Sequence, residues 1–217
     1  MKHFFAAIAD NNAALFHSLL DKYPDLANSR SEQGVSAVLY AVYYGRREFA
    51  SEMVLMGAKV GVFEAAALGD LERIKTIVRS DPASVNAFSP DGFQPLGLAA
   101  YFGQAKVARY LLDHGADPNS HSRNHQMVAP LHSAASSNSV DVAAALIEKG
   151  ADINAKQQGG YSPLHSAVMS GSAEMVGLLL RRGADCGSRN DIGQSPKDLA
   201  NRKNARDIDI LLRACID

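Results

Sequence analysis

The stretch Asp91-Gly92-Phe93-Gln94-Pro95-Leu96-Gly97-Leu98-Ala99-Ala100-Tyr101-Phe102-Gly103-Gln104-Ala105-Lys106-Val107-Ala108-Arg109-Tyr110-Leu111-Leu112-Asp113-His114-Gly115-Ala116-Asp117-Pro118-Asn119 decides the reading of this chain. Asp91-Gly92 suits a turn, and Pro95 suits the first turn of a helix, where a missing N–H costs nothing. Gly103 breaks that helix. Val107, Leu111 and Leu112 then fall on one face of a second helix, which Gly115 stops as a C′ residue can. Nothing in the stretch has the look of catalysis.

Working outward, the residue between the two helices recurs as Asn11, Gly45, Gly69, Gly103, Asn138, Gly171 and Asn204, at intervals of 34, 24, 34, 35, 33 and 33. A period near 33 predicts a repeat architecture, in which one unit alone cannot cover its apolar face. After each of these anchors comes the core face of a second helix: Leu15, Phe16, Leu19 and Leu20 in the first unit, for example, and Met175, Val176, Leu179 and Leu180 in the sixth. Before it come small residues, such as Ala65-Ala66, Ala99-Ala100 and Ala134-Ala135, that let neighbouring repeats approach closely. Pro95, Pro130, Pro163 and Pro196 open the first helices. Ser36, Ser162 and Ser195 stand at N-cap positions, whereas Gln94 and Ala129 are weak caps there.

Ser162-Pro163-Leu164-His165-Ser166-Ala167, Pro130-Leu131-His132, Gly150-Ala151-Asp152-Ile153-Asn154-Ala155 and Gly115-Ala116-Asp117-Pro118-Asn119 resemble the Thr-Pro-Leu-His and Gly-Ala-Asp-Val-Asn-Ala signatures of ankyrin repeats. The resemblance implies an all-α solenoid of about seven helix-turn-helix units with short β-hairpin loops, in one domain. The units run at about 1–28, 29–61, 62–86, 87–119, 120–154, 155–187 and 188–217. Two departures from the period mark this chain. Between the second and third units Val62 follows Gly61 directly, with no room for a hairpin, which is expected to open a gap. Between Asn119 and Pro130 the spacing is eleven rather than nine, so the Ser120–Ala129 hairpin is longer by two.

The composition narrows the function. A formal net charge of -1, with lysines and arginines interspersed among carboxylates, gives no footprint for nucleic acid. No run reaches the ~20 apolar residues of a membrane span. Phe4-Phe5-Ala6-Ala7-Ile8-Ala9 is too short for a secretory core and reads as the first helix. Cys186 and Cys215 are too few for a disulfide framework, which fits a reducing, cytoplasmic setting.

His132 and His165, by resemblance, tie adjacent loops together rather than catalyse. Cys186 and Cys215 have no histidine placed to activate them, there is no Gly-rich phosphate loop, and no cofactor is expected. The chain is therefore expected not to be an enzyme. In the long hairpin His121 and His125 have a spacing that binds metal when helical, and this segment is not expected to be helical. A small-ligand or metal-binding protein using that hairpin, and a secreted effector or enzyme regulator, remain as alternatives.

The resemblance instead points to a concave protein-binding groove, contacted by the two residues before each anchor. These are Tyr43-Tyr44, Ala67-Leu68, Tyr101-Phe102, Ser136-Ser137, Met169-Ser170 and Arg202-Lys203. The expected partner-binding residues are Tyr43, Tyr44, Leu68, Phe93, Tyr101, Phe102, His125, Tyr161 and Met169, centred on units two to five of a monomer. Aromatic side chains clustered on a concavity are what hot spots are made of; the alternative for Tyr43 and Tyr101 is that they pack against the next repeat.

Overall fold

The computed structural model describes residues 1–202 and 205–214. Lys203, Asn204 and Cys215, read above as a groove position, the seventh anchor and a cysteine, lie outside them. Among the described residues there are fourteen α-helices in seven antiparallel pairs. The first helices are α1 (Lys2–Ala9), α3 (Ala37–Tyr43), α5 (Val62–Leu68), α7 (Pro95–Tyr101), α9 (Pro130–Ser136), α11 (Pro163–Ser170) and α13 (Pro196–Arg202). Their partners are α2 (Ala13–Lys22), α4 (Arg47–Leu55), α6 (Leu71–Ser80), α8 (Ala105–Asp113), α10 (Val140–Glu148), α12 (Ala173–Arg181) and α14 (Arg206–Arg213). Pro24 and Pro82 each open a short 3-10 turn beyond α2 and α6.

The anchors are conformational. Asn11, Gly45, Gly69, Gly103, Asn138 and Gly171 all have φ between +56° and +85°, the left-handed region that glycine enters freely and asparagine tolerates. That requirement explains why only these two residue types occur there. One apolar core runs the length of the stack from Phe4 to Leu212. The alanine pairs Ala65-Ala66, Ala99-Ala100 and Ala134-Ala135 sit in it fully buried, which brings consecutive first helices into contact. At the N-terminal end the core is aromatic. Phe16 stacks between Phe4 (5.5 Å) and Phe49 (4.1 Å), locking the first pair onto the second.

An asparagine at the end of each repeat, in the Gly-Ala-Asp-x-Asn signature at Asn119 and Asn154 and at the end of a 3-10 turn at Asn28 and Asn86, stitches one repeat to the next. Asn119 donates to Gly150 O (3.0 Å) and accepts from Asp152 N (2.7 Å); Asn86 does the same to Gly115 and Asp117. Asn154 accepts from Asp185 N and Asn28 from Lys59 N.

The hairpins are closed tips more than strands. Ser31 and Val35, Ser89 and Phe93, Gln157 and Tyr161, and Asn190 and Gln194 each share a backbone bond of 2.8–3.0 Å. In the long hairpin the closing pair is Ser122 and Val128, so the two extra residues fall inside the tip. Only Arg30 and Ser36 form a bridge among the described residues.

Candidate functional site

Successive tips hydrogen-bond into a row. The second residue of each donates to the tip before it: Arg123 N to Gly92 O (2.8 Å), Gln158 N to Gln126 O (3.0 Å) and Asp191 N to Gly159 O (2.9 Å). Between Ser31–Val35 and Ser89–Phe93 a tip is skipped, and the row ends on both sides of the skip. On the far side the donor position is Pro90, which has no N–H. On the near side Arg30 Nη1 donates to the acceptor, Gly34 O, at 2.8 Å. In the Asn190–Gln194 tip Arg189 Nη1 likewise donates to Gly193 O, at 2.6 Å. In the Ser89–Phe93 tip the matching residue is Phe88, with the Arg123 guanidinium 3.9 Å above its ring. Unpaired edge groups invite another chain, and this molecule occupies them itself.

The gap expected at the skip is bridged. Gly34 approaches Pro90 so closely that an added Cβ would lie 3.1 Å from its Cβ. The Tyr43 hydroxyl donates to Asp91 Oδ2 at 2.6 Å, reaching from the second pair to the fourth. Burial, and then the Asp91 carboxylate, push the Tyr43 phenol well above its usual range. Beneath this arch is a cavity of about 610 Å³ between Val35, Leu39, Phe63 and Phe88.

The aromatic residues singled out in the sequence separate into two groups. Tyr43 is half-buried, with its ring 6.0 Å from Phe102, and Phe102 in turn meets Tyr101 edge-on. Leu68 packs half-buried against the core. Tyr44 is 46% exposed and stacks on Tyr40 at 4.6 Å. The other five, Phe93, Tyr101, His125, Tyr161 and Met169, line one groove of about 640 Å³ formed by α7, α9, α11 and the tips above them. Tyr101 and Met169 are about half exposed in it. This groove spans the fourth to sixth pairs and overlaps the expected units two to five at the fourth and fifth. Its remaining lining carries no site signal in the sequence: Val128, Ser133, Ser166 and three glutamines, with Ser136 and Ser170 at positions the resemblance marks.

His132 and His165 face the core, not the groove. The Nε2 of each bonds to a carbonyl of the next tip, Tyr161 O at 3.0 Å and Gln194 O at 3.1 Å, as the resemblance implies. Burial lowers both pKa values, that of His132 to about 4, the bond to Tyr161 opposing part of the drop. The two differ at Nδ1. His165 Nδ1 meets Ser162 Oγ at 2.8 Å, whereas Ala129 stands at the same place beside His132, whose buried Nδ1 has no partner.

Among the described residues no three of His, Cys, Asp or Glu converge as metal ligands, His121 and His125 included. No helix there is long and apolar enough to cross a membrane. Cys186 is disulfide-bonded.

Fold and tip row together define a helical-repeat solenoid with a groove along its first helices. Residues 62–157 and 124–190 match the family model for ankyrin repeats (3 copies), and the chain belongs to that family. It is 36% identical to human protein phosphatase 1 regulatory subunit 27 over 115 residues, 53% of this chain and 73% of that one. It is 34% identical to alpha-latrocrustotoxin-Lt1a of Latrodectus tredecimguttatus over 139 residues, 64% of this chain and 8% of the toxin. Similarity to human DNA-binding protein RFXANK is 32% over 99 residues, 44% of this chain and 38% of that protein.

Proposed function

We propose that this protein acts without catalysis, by holding a segment of another protein in the groove between Tyr101 and Met169. One observation carries the reading: apolar surface from Phe93, Tyr101, Tyr161 and Met169 converges on one concavity with hydroxyls and amides between, the mixture that binding hot spots use. Its similarity to a phosphatase regulatory subunit fits a role exerted through a partner. Tyr44, outside the groove and stacked on Tyr40, serves as the control position.

The test is affinity purification with mass spectrometry, using wild type, Tyr101→Ser/Met169→Ser and Tyr44→Ser. Proteins retained by wild type and by Tyr44→Ser, and lost from the groove variant at an unchanged melting temperature, are the expected result. Retention by the groove variant would overturn the reading.

A further inference from the structure

We infer that the segment held in the groove is uncharged and adopts a left-handed extended conformation, with apolar side chains, prolines among them, at every third residue. The inference rests on the groove reading above and adds the chemistry of the occupant.

The first ground is charge. None of the thirteen lining residues is Asp, Glu, Lys or Arg, in a chain of which 21% is charged. A charged side chain entering this groove would shed hydration and meet no counter-ion. The groove selects against it.

The second ground is hydrogen bonding. The hydroxyls of Ser133, Ser136 and Ser166 and the amides of Gln126, Gln157 and Gln158 make no side-chain hydrogen bond among the described residues. They are available to a ligand, and each can bind a neutral amide. A helix satisfies its own N–H and C=O groups and would leave most of these side chains unmatched. A polyproline-type strand has no internal hydrogen bonds, so its backbone carbonyls are free to accept from them.

Spacing is the third. Tyr101, Ser136 and Met169 stand at equivalent positions, six residues after the prolines that open α7, α9 and α11, and Ser133 and Ser166 are likewise one repeat apart. Packed helices lie about 8–10 Å apart. A polyproline-type strand brings the same face round every three residues, about 9 Å, so its side chains keep step with the repeats. A β-strand presents the same face about every 7 Å and drifts out of step. The rings of Phe93, Tyr101 and Tyr161 offer the flat apolar surfaces on which proline docks.

The experiment is selection of a phage-displayed random-peptide library on the whole immobilised protein. A selected peptide, labelled with fluorescein, is then titrated by anisotropy against wild type, Tyr101→Ser and Met169→Ser. Expected are uncharged sequences with Pro, Leu or Val at i and i+3, an affinity lowered about ten-fold by either substitution, and less than about a two-fold change between about 50 and about 500 mM salt. Acidic or basic sequences, or an i, i+4, i+7 helical pattern, that still respond to the substitutions overturn the inference and leave the groove standing. Selected peptides indifferent to both substitutions overturn the groove reading with it. A library without enrichment overturns the inference alone, since the purification above tests the groove independently.

Discussion

Ala129→Ser should make the protein more stable, by an amount that its own sixth repeat supplies. At Ser162 the hydroxyl lies 2.8 Å from His165 Nδ1 and caps α11 by accepting from His165 N. At Ala129 neither interaction exists, nor the bond of 3.2 Å that Ser162 N makes to His165 Nδ1, while His132 is likewise fully buried with its Nε2 bonded to Tyr161 O. A carbonyl partner means that Nε2 carries the proton, so Nδ1 is a bare acceptor lacking a donor. Ser162 is as buried as Ala129, so the site accepts a hydroxyl. Gaining an N-cap stabilises by about 1 kcal/mol, and satisfying the buried nitrogen by about 1 kcal/mol more. The sum of about 2 kcal/mol raises the melting temperature by roughly 4–8 °C in a chain of this size. In a His132→Leu background, leucine being what Leu39 already is at the matching place in α3, the gain should halve. No gain from Ala129→Ser, or an undiminished gain in the His132→Leu background, would refute the pairing.

Acid should loosen the same region. His132 is neutral when folded, with a pKa of about 4, against about 6.5 unfolded. The unfolded chain thus binds the extra proton between these values, and stability is full above pH ~6.5 and falls by about 3 kcal/mol as pH drops to ~4. Urea titrations across that range check the slope, and His132→Leu should flatten it. Tyr43→Phe removes the bond to Asp91 and should cost about 1.5–3 kcal/mol, the range for a hydrogen bond to a charged acceptor; denaturation that matches wild type would show the arch to be decorative.

How far the sequence discloses this molecule depends on whether a feature is written in residue type or in register. The helix pairs are legible because φ greater than zero restricts the anchors to Gly and Asn, and because prolines mark helix starts at Pro95, Pro130, Pro163 and Pro196. The skipped hairpin is legible too, being a matter of counting from Gly45 to Gly69. What the count does not reveal is that the space is bridged, since Tyr43 and Asp91 are 48 residues apart and nothing local in either announces the other. Residue type draws the reading to units two to five, while the groove that Tyr101 and Met169 line is formed on α7, α9 and α11. Aromatic side chains draw attention to Tyr43, Tyr44 and Phe102, and Ser133, Ser166 and the glutamines have no conspicuous type at all. They matter through having no partner, which only a structure exposes.

One further signal stands in the sequence and becomes readable only beside the structure. Arg30 and Arg189 hold the same tip position, four residues before Gly34 and Gly193, and each donates to that glycine's carbonyl, while Phe88 holds the position before Gly92, whose carbonyl accepts from Arg123 N. At Gly34 the next tip packs alongside but offers Pro90, which has no N–H, so the carbonyl takes its donor from a side chain. Arginine suits the task because its guanidinium can fold back on a carbonyl of its own tip and still keep a face in water. By that logic the skip is no defect of the repeat. It is a packed seam, with Arg30 supplying the donor that Pro90 lacks and Tyr43 reaching Asp91 across it, and the backbone-bonded tip row starts beyond it, at the pair that α7 opens.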